Sequence, residues 1–295
     1  MLRRRHKTPK VPKAAPYAPA PVAGTAGRSR RRAREGAQVP PELRIKPHHP
    51  EAPKPVRVAE AAEAAEKKIP KPRTERTSPR ADDVVLVTGF HPFGGERVNP
   101  SWEICNRLPR EIAGLRVEIC RVPCEFRHAI ETVAAAIEKH RPALIVSLGQ
   151  AGGRSHMSVE RVAINIDDAR NPDNAGAQPI DEAIAPNGPP AYFATLPVKA
   201  MAAAMREAGV PAQVSNSAGT YVCNHLMYGV LHFLAARGIE ARAGFIHVPY
   251  AEEQVLDKPA MPSMAIATMV RGVEAGIAAA RKAAQDVKVA GGTLD

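Results

Sequence analysis

From residue 84 onward the chain falls into short, nearly unbroken apolar runs separated by stretches with helical spacing, and few folds accommodate that pattern. VVLVT (84–88), RVEICRV (116–122), ALIVSL (143–148), RVAINI (161–166), AQVSN (212–216) and AGFIHV (243–248) read as strands. Between them Phe126, Ala129, Ile130, Val133 and Ile137 recur at helical spacing, as do Ala200, Ala203, Ala204 and Ala208. Leu226, Val230, Leu231 and Leu234 do likewise, and a last helix is expected over roughly residues 262–286. Strands apolar on both faces and alternating with helices imply a mostly parallel, twisted sheet covered on both sides, in a single α/β domain over residues 83–295. In such folds chemistry gathers beyond the carboxyl ends of the strands.

The preceding residues read differently. The first 80 hold 21 of the chain's 41 Lys and Arg but only 7 of its 30 Asp and Glu, a net of +14, whereas the remainder comes to −3. They also carry 14 of the 29 prolines, Tyr17 as the one aromatic residue, and no cysteine. Such a composition buries too little apolar surface to offset its ordering entropy, so residues 1–82 are expected to form a disordered, basic Pro/Ala/Arg-rich tail. Within it AEAAEAAEKK (59–68) has helix propensity, yet an isolated helix that short is marginal. The cluster RSRRRAR (28–34) offers contact with nucleic acid or an anionic membrane, although no aromatic residues are interleaved to stack on bases; the plain alternative is a solvated tail. No segment is long and apolar enough to span a bilayer, and MLRRRHK is not followed by a signal-peptide core. Four cysteines without a compact framework fit a reduced, cytoplasmic protein.

Several polar residues sit where an apolar core would not place them. Glu160 opens the expected strand ERVAINI, and His247 lies between Ile246 and Val248 in another; a buried carboxylate or imidazole is costly without a partner. Cys223 follows a turn at Gly219 and begins the helix CNHLMYGVLHFLAARG, where the helix dipole lowers the pKa of an exposed thiol. Two readings stay open at this point: a small buried hydrophobe, or a nucleophile served by a histidine base and an orienting carboxylate. Cys105, Cys120 and Cys124 read as packing residues, and Cys120 and Cys124 lack a second ligand pair at zinc spacing. His225, two residues beyond Cys223, points away from it on a helix, which leaves His247 as the better base. TGFHPFGG (88–95) lacks a phosphate-binding glycine pattern; Phe90 and Phe93 read as exposed loop aromatics forming a flat apolar slot. SLGQAGG (147–153) places the Gln150 amide and flexible backbone at a strand end.

VLVTGFHPFGG, VNPSW, LGQAGG, ERVAIN, DARNPDN, QPID, GTYVCNHLMYG and GFIHVPY together resemble the pyroglutamyl peptidase I family, cysteine omega-peptidases that remove N-terminal 5-oxoproline from peptides. The likeness runs from about Val84 to the last expected helix. It implies an α/β/α sandwich, no cofactor, pyroglutamylated peptides as substrates and a homotetramer. It also implies Cys223 as nucleophile, His247 as general base and Glu160 as third member, with a ring pocket from Phe90, Phe93, Gln150, Tyr221 and Val222, and Arg170 near the reacting carbonyl. His91, Asn171 and Tyr221 depart from the family pattern, and Asn171 puts a polar group at the pocket wall. The competing reading is a catalytically altered α/β protein tethered to nucleic acid or membrane by its tail.

Overall fold

The computed structural model describes residues 83–292, so the expectations for the tail and its basic cluster lie outside the described residues. Among the described residues nine strands form: β1 Val84–Phe90, β2 Glu111–Ile112, β3 Leu115–Val122, β4 Leu144–Gln150, β5 Met157–Glu160, β6 Val162–Ile164, β7 Ala191–Phe193, β8 Ala212–Ser215 and β9 Arg242–Val248. Five α-helices accompany them: α1 Pro100–Cys105, α2 His128–His140, α3 Val198–Glu207, α4 Val222–Arg237 and α5 Ile266–Lys282. Seven strands make one sheet in the order β2-β3-β1-β4-β9-β5-β8, and β6 pairs with β7 in a small second sheet. The β3, β1, β4 and β9 strands are mutually parallel, whereas β5 runs antiparallel to β9 and parallel to β8.

The central strands β1, β4 and β9 are buried on both faces. Val85, Val87, Val146, Leu148, Ile246 and Val248 join residues of α1, α3 and α5 in one apolar cluster; Leu86, Phe90, Ile145 and Phe245 join α2 and α4 in the other. Alternate residues of the same strands thus serve opposite clusters, as the period of two requires. The three-layer α/β arrangement is the one expected, and among the described residues no helix is long and apolar enough to cross a membrane.

Four details differ from the sequence expectation. The expected strand 161–166 is cut to Val162–Ile164 and preceded by an unexpected one, β5: the chain pairs with β9 and β8 through Glu160, leaves the main sheet at Arg161, and re-pairs with β7 from Val162. Glu160 therefore closes a strand instead of opening one. On α3 the buried stripe is Val198, Met201, Ala202 and Met205, not the alanine set, because the larger side chains remove more apolar surface from water. α5 is shorter than residues 262–286: Met264 N–H bonds back to the Tyr250 carbonyl before the helix begins, and Asp286 beyond it accepts from the amides of Lys199 and Ala200. That carboxylate serves the first turn of α3, whose N-cap, Pro197, has no side-chain oxygen to offer. Finally, Phe90 ends β1 and is buried, so it is not a loop aromatic.

The first βα connection is tight. Asn99 caps α1 by accepting from the Ser101 amide, and Ser101 Oγ accepts the Phe90 N–H at 2.9 Å. A Cβ on Gly89 would lie 2.6 Å from the Ser101 carbonyl oxygen and 2.8 Å from Trp102 Cα, both backbone atoms that cannot swing aside. Gly89→Ala is expected to cost about 1–3 kcal/mol, read as a lower urea midpoint at unchanged slope; an unchanged midpoint would show that α1 does not bear on β1 this closely.

Candidate active site

The one antiparallel junction inside the run of parallel strands, β9 against β5, brings two distant polar residues onto one face. Glu160 pairs across the ladder with Phe245, and Ser158 with His247. His247 Nδ1 and Glu160 Oε1 are 2.8 Å apart, the histidine 4% exposed and the glutamate not at all. Arg154 Nη1 donates to the same oxygen at 2.8 Å. Burial alone would push the Glu160 carboxyl up; hydrogen bonding and charge from His247, with help from Ser215 and Arg154, outweigh it and hold the group below its ordinary value. An ionised Glu160 accepts from Nδ1–H, which leaves Nε2 as the ring nitrogen able to take a proton.

The thiol is placed by glycine and by the turn before α4. Gly219 adopts φ +80°, a left-handed conformation suited to glycine, and its N–H bonds to Ser217 Oγ at 3.1 Å. Tyr221 is the extended N-cap of α4 and makes no side-chain cap bond, so no side chain covers the first amides of the helix. Cys223 is half-buried, and its Sγ would be 2.9 Å from a Cβ on Gly149. Gly149 is the direct neighbour of His247 across the β4–β9 ladder, so sulfur and imidazole share one stretch of sheet. Burial pushes the Cys223 thiol well above its ordinary value, Cys124 and Glu160 add to this, and Arg154 opposes it. The lowered thiol pKa expected at a helix start is thereby reversed: desolvation outweighs the partial charge of the helix end.

The other expected site residues divide. Phe90 packs on Phe245, ring centroids 6.4 Å apart, and Phe93 is half-buried with its ring 6.4 Å from that of Tyr221. Gln150 ends β4, and its Oε1 accepts from Gln254 Nε2 at 2.9 Å, which fixes the direction of its amide. Tyr221 sends its hydroxyl to the Pro172 carbonyl, joining the helix start to the DARNPDN loop. Val222 has no exposed surface and lies in the apolar cluster, so only its backbone is left to line a pocket. Arg170 and Asn171 are exposed on that loop, and among the described residues no partner engages either side chain. His91 is half-buried, its amide held by the Val122 carbonyl.

Sequence reasoning passed over three residues that hold the site together, Arg154, Asp167 and Asp173, and the part that His225 plays with them. Arg154 is the second donor to Glu160 Oε1; its signal was a lone arginine directly after the SLGQAGG turn. Asp167 accepts from His225 Nδ1 at 2.7 Å, and His225 Nε2 accepts the Arg127 N–H at 2.8 Å, so this buried pair ties α4 to the chain entering α2. His225 does turn away from Cys223, as expected, but toward structural work. Asp173 of DARNPDN takes the Phe126, Ala175 and Ala177 amides on its two oxygens. No sequence signal links these residues, which lie on three separate segments.

Comparison with known proteins bears on this geometry. The family model described as pyroglutamyl peptidase matches residues 83–283. A pyrrolidone-carboxylate peptidase of Streptomyces coelicolor is 56% identical over 211 residues, 70% of this chain and 97% of the relative. That of Erwinia tasmaniensis is 53% identical over 209 residues, again 70% of this chain and 97% of the relative. Among solved structures, pyroglutamyl peptidase I of Bacillus amyloliquefaciens is similar at a TM-score of 0.68 and 42% identity, covering 70% of this chain and 100% of that one. Pyrrolidone carboxyl peptidase of Thermococcus litoralis matches at 0.68 and 39%, covering 70% and 99%. With a family model spanning most of its length and relatives above half identity matched nearly end to end, the chain belongs to the pyroglutamyl peptidase family.

Proposed function

We propose that the chain is a cysteine peptidase that removes N-terminal pyroglutamate from peptides through Cys223, His247 and Glu160, carried by the unit 83–295. The observation that supports this best is the buried His247–Glu160 bond lying one strand away from Gly149, over which the Cys223 sulfur sits. The substrate's terminal ring is a neutral lactam without a free amine. A site for it needs apolar walls and a few hydrogen bonds, not a carboxylate to hold an ammonium. Phe90, Phe93 and Tyr221 supply walls, Gln150 an oriented amide, and the first amides of α4 the donors for an oxyanion. Arg170 and Asn171 stand at the rim of this pocket. A homotetramer and a cytoplasmic location complete the reading, the latter supported by four cysteines that are all free thiols.

In the first half-reaction the Cys223 sulfur attacks the pyroglutamyl carbonyl. Because the resting thiol is held protonated, its proton passes to His247 as the S–C bond forms, and Glu160 stabilises the resulting imidazolium. His247 then gives that proton to the departing amine as the C–N bond breaks. Water attacks the thioester, delivers a proton to His247, and the thiol is regenerated as 5-oxoproline leaves.

Purified protein is expected to hydrolyse a pyroglutamyl-linked fluorogenic amide, and Cys223→Ala to abolish the signal; undiminished turnover in that variant would sink the assignment. Gly149→Ala sets a methyl against both the Cys223 sulfur and the Phe245 ring, 2.9 Å and 2.6 Å away. A loss of about 100-fold in kcat/KM with an intact circular-dichroism spectrum is expected, since small misplacements cost that much; near-normal kinetics would mean the sulfur does not work from this position. The depressed Glu160 pKa contributes stability that is present above the ordinary carboxylate value of 4.5 and is lost as pH falls through the depressed folded value. The stability gap between wild type and Glu160→Gln should accordingly narrow as pH falls from about 6 toward 3, and a gap constant across that range would count against an ionised Glu160.

A further inference from the structure

The ladder registers place four residues in one row across the sheet: Gly149 on β4 beside His247 on β9, His247 opposite Ser158 on β5, and Ser158 beside Gln213 on β8. Laterally paired residues point to the same face. Phe90, at the carboxyl end of β1, lies on the other side of β4 and in the apolar cluster of this same face. Reading along the row therefore gives aromatic wall, nucleophile, base, and then Ser158 and Gln213. α2 and α4 make their sheet contacts with β1, β3, β6, β7 and β9, and neither is among the principal neighbours of β5 or β8. What lies over β5 and β8 is a cleft of about 260 Å³, lined by Arg154, His156, Ser158, Gln213, Ser215 and Ser217. Every one of these side chains is polar.

Resting on the peptidase reading, we infer that this cleft receives the residue that follows pyroglutamate in the substrate, and that it selects polar side chains there. The order of the row dictates the direction. The ring is bound on the Phe90 side of the sulfur, and the amine that leaves must face His247 to be protonated. The rest of the peptide then continues past His247, toward β5 and β8. Strands are spaced about 4.8 Å apart, so Gln213 lies roughly 10 Å beyond His247, within reach of the next residue and its side chain. The volume is below the ~300–1,000 Å³ of clefts that enclose whole small molecules, and it fits one amino-acid residue.

The lining also indicates what binds. Arg154 spends one N–H on Glu160 and keeps about a third of its side chain exposed, 32%, so its remaining guanidinium donors are available to an acceptor on the peptide. Gln213 Nε2 meets His156 Nε2, which leaves the Gln213 carbonyl oxygen as an acceptor. A donor and an acceptor in a wholly polar lining favour Asn, Ser or Gln in the second position over Leu, whose burial would strip water from these groups without replacing it. Among the described residues the charges at the cleft include those of Arg154 and Glu160, and the Arg161 guanidinium lies near Asn216, which also lines the cleft. A new charge at position 213 adds to this field with opposite sign for Lys and for Glu.

The test is the ratio of kcat/KM for two amidated peptides, pyroglutamyl-Glu and pyroglutamyl-Lys, on wild type, Gln213→Lys and Gln213→Glu. Because both peptides meet the same enzyme, any effect of the substitution on His247 drops out of the ratio. Gln213→Lys is expected to raise the Glu-over-Lys ratio by about tenfold and Gln213→Glu to lower it by as much. Opposite shifts of threefold or more support the proposal; smaller shifts, or shifts in one direction only, overturn it. Should the charged variants fail to fold, Gln213→Leu is read through pyroglutamyl-Asn over pyroglutamyl-Leu. That ratio should fall at least threefold from wild type, and a smaller fall overturns the proposal. If wild type hydrolyses none of these peptides, the peptidase reading itself fails, and the cleft assignment with it.

Discussion

A carboxylate with no exposed surface stands at the centre of this protein, and most of the site follows from how Glu160 is kept ionised there. Burial of a charge costs several kcal/mol even after relaxation, so the fold has to supply compensating partners. It supplies two cationic or proton-donating groups on one oxygen, His247 from β9 and Arg154 from the loop after β4, both at 2.8 Å. The other oxygen, Oε2, is buried without a hydrogen bond among the described residues. The arrangement favours a fixed imidazole over maximal stability. His247 is oriented by a bond that also decides which of its nitrogens can accept a proton.

The topology makes that bond available. In a wholly parallel sheet the carboxyl ends of all strands meet at one edge. Here β5 runs against β9, so its own carboxyl end lies at the level of Phe245, two residues before His247 on β9. A long carboxylate side chain thereby meets an imidazole from the neighbouring strand, inside the sheet's face and away from solvent. Gly149 completes the constellation by leaving a gap that the Cys223 sulfur fills. The pinned loops do the rest. Thr220 exchanges two hydrogen bonds with Asp168, and Tyr221 bonds to Pro172, so the turn before Cys223 and the DARNPDN loop hold each other.

Much of this was legible in the chain itself. The apolar runs on β1, β4 and β9 located their strands to within a few residues, because a strand buried on both faces leaves an unbroken signature, whereas β3, exposed at Arg116, Ile119 and Arg121, and the short β8 carried interrupted ones. Glu160 and His247 stood out as polar residues in such runs, and their partnership is observed. The errors have physical causes. The short run MSV carried too weak an apolar signal to mark β5, and RVAINI does not record that the chain changes neighbours at Arg161, so Glu160 was assigned to the strand after it instead of the one it closes. Helical spacing of alanines on α3 competed with a bulkier Val–Met stripe on the same helix. The raised thiol pKa of Cys223 depends on the packing around a helix start, which spacing does not reveal. Arg154, Asp173 and the Asp167–His225 pair act across the fold, between segments that share no local pattern.

On the proposed reading, the pyroglutamyl acyl group passes through the thiol seated over Gly149. The most direct measurement is mass spectrometry of wild-type protein quenched in acid during turnover of an activated pyroglutamyl ester, chosen so that hydrolysis of the thioester limits the rate. A mass increase of one pyroglutamyl group is expected, mapped by proteolysis to the peptide carrying Cys223 and absent from Cys223→Ser. Steady turnover with no adduct on any cysteine, or an adduct on Cys105, Cys120 or Cys124, would contradict it.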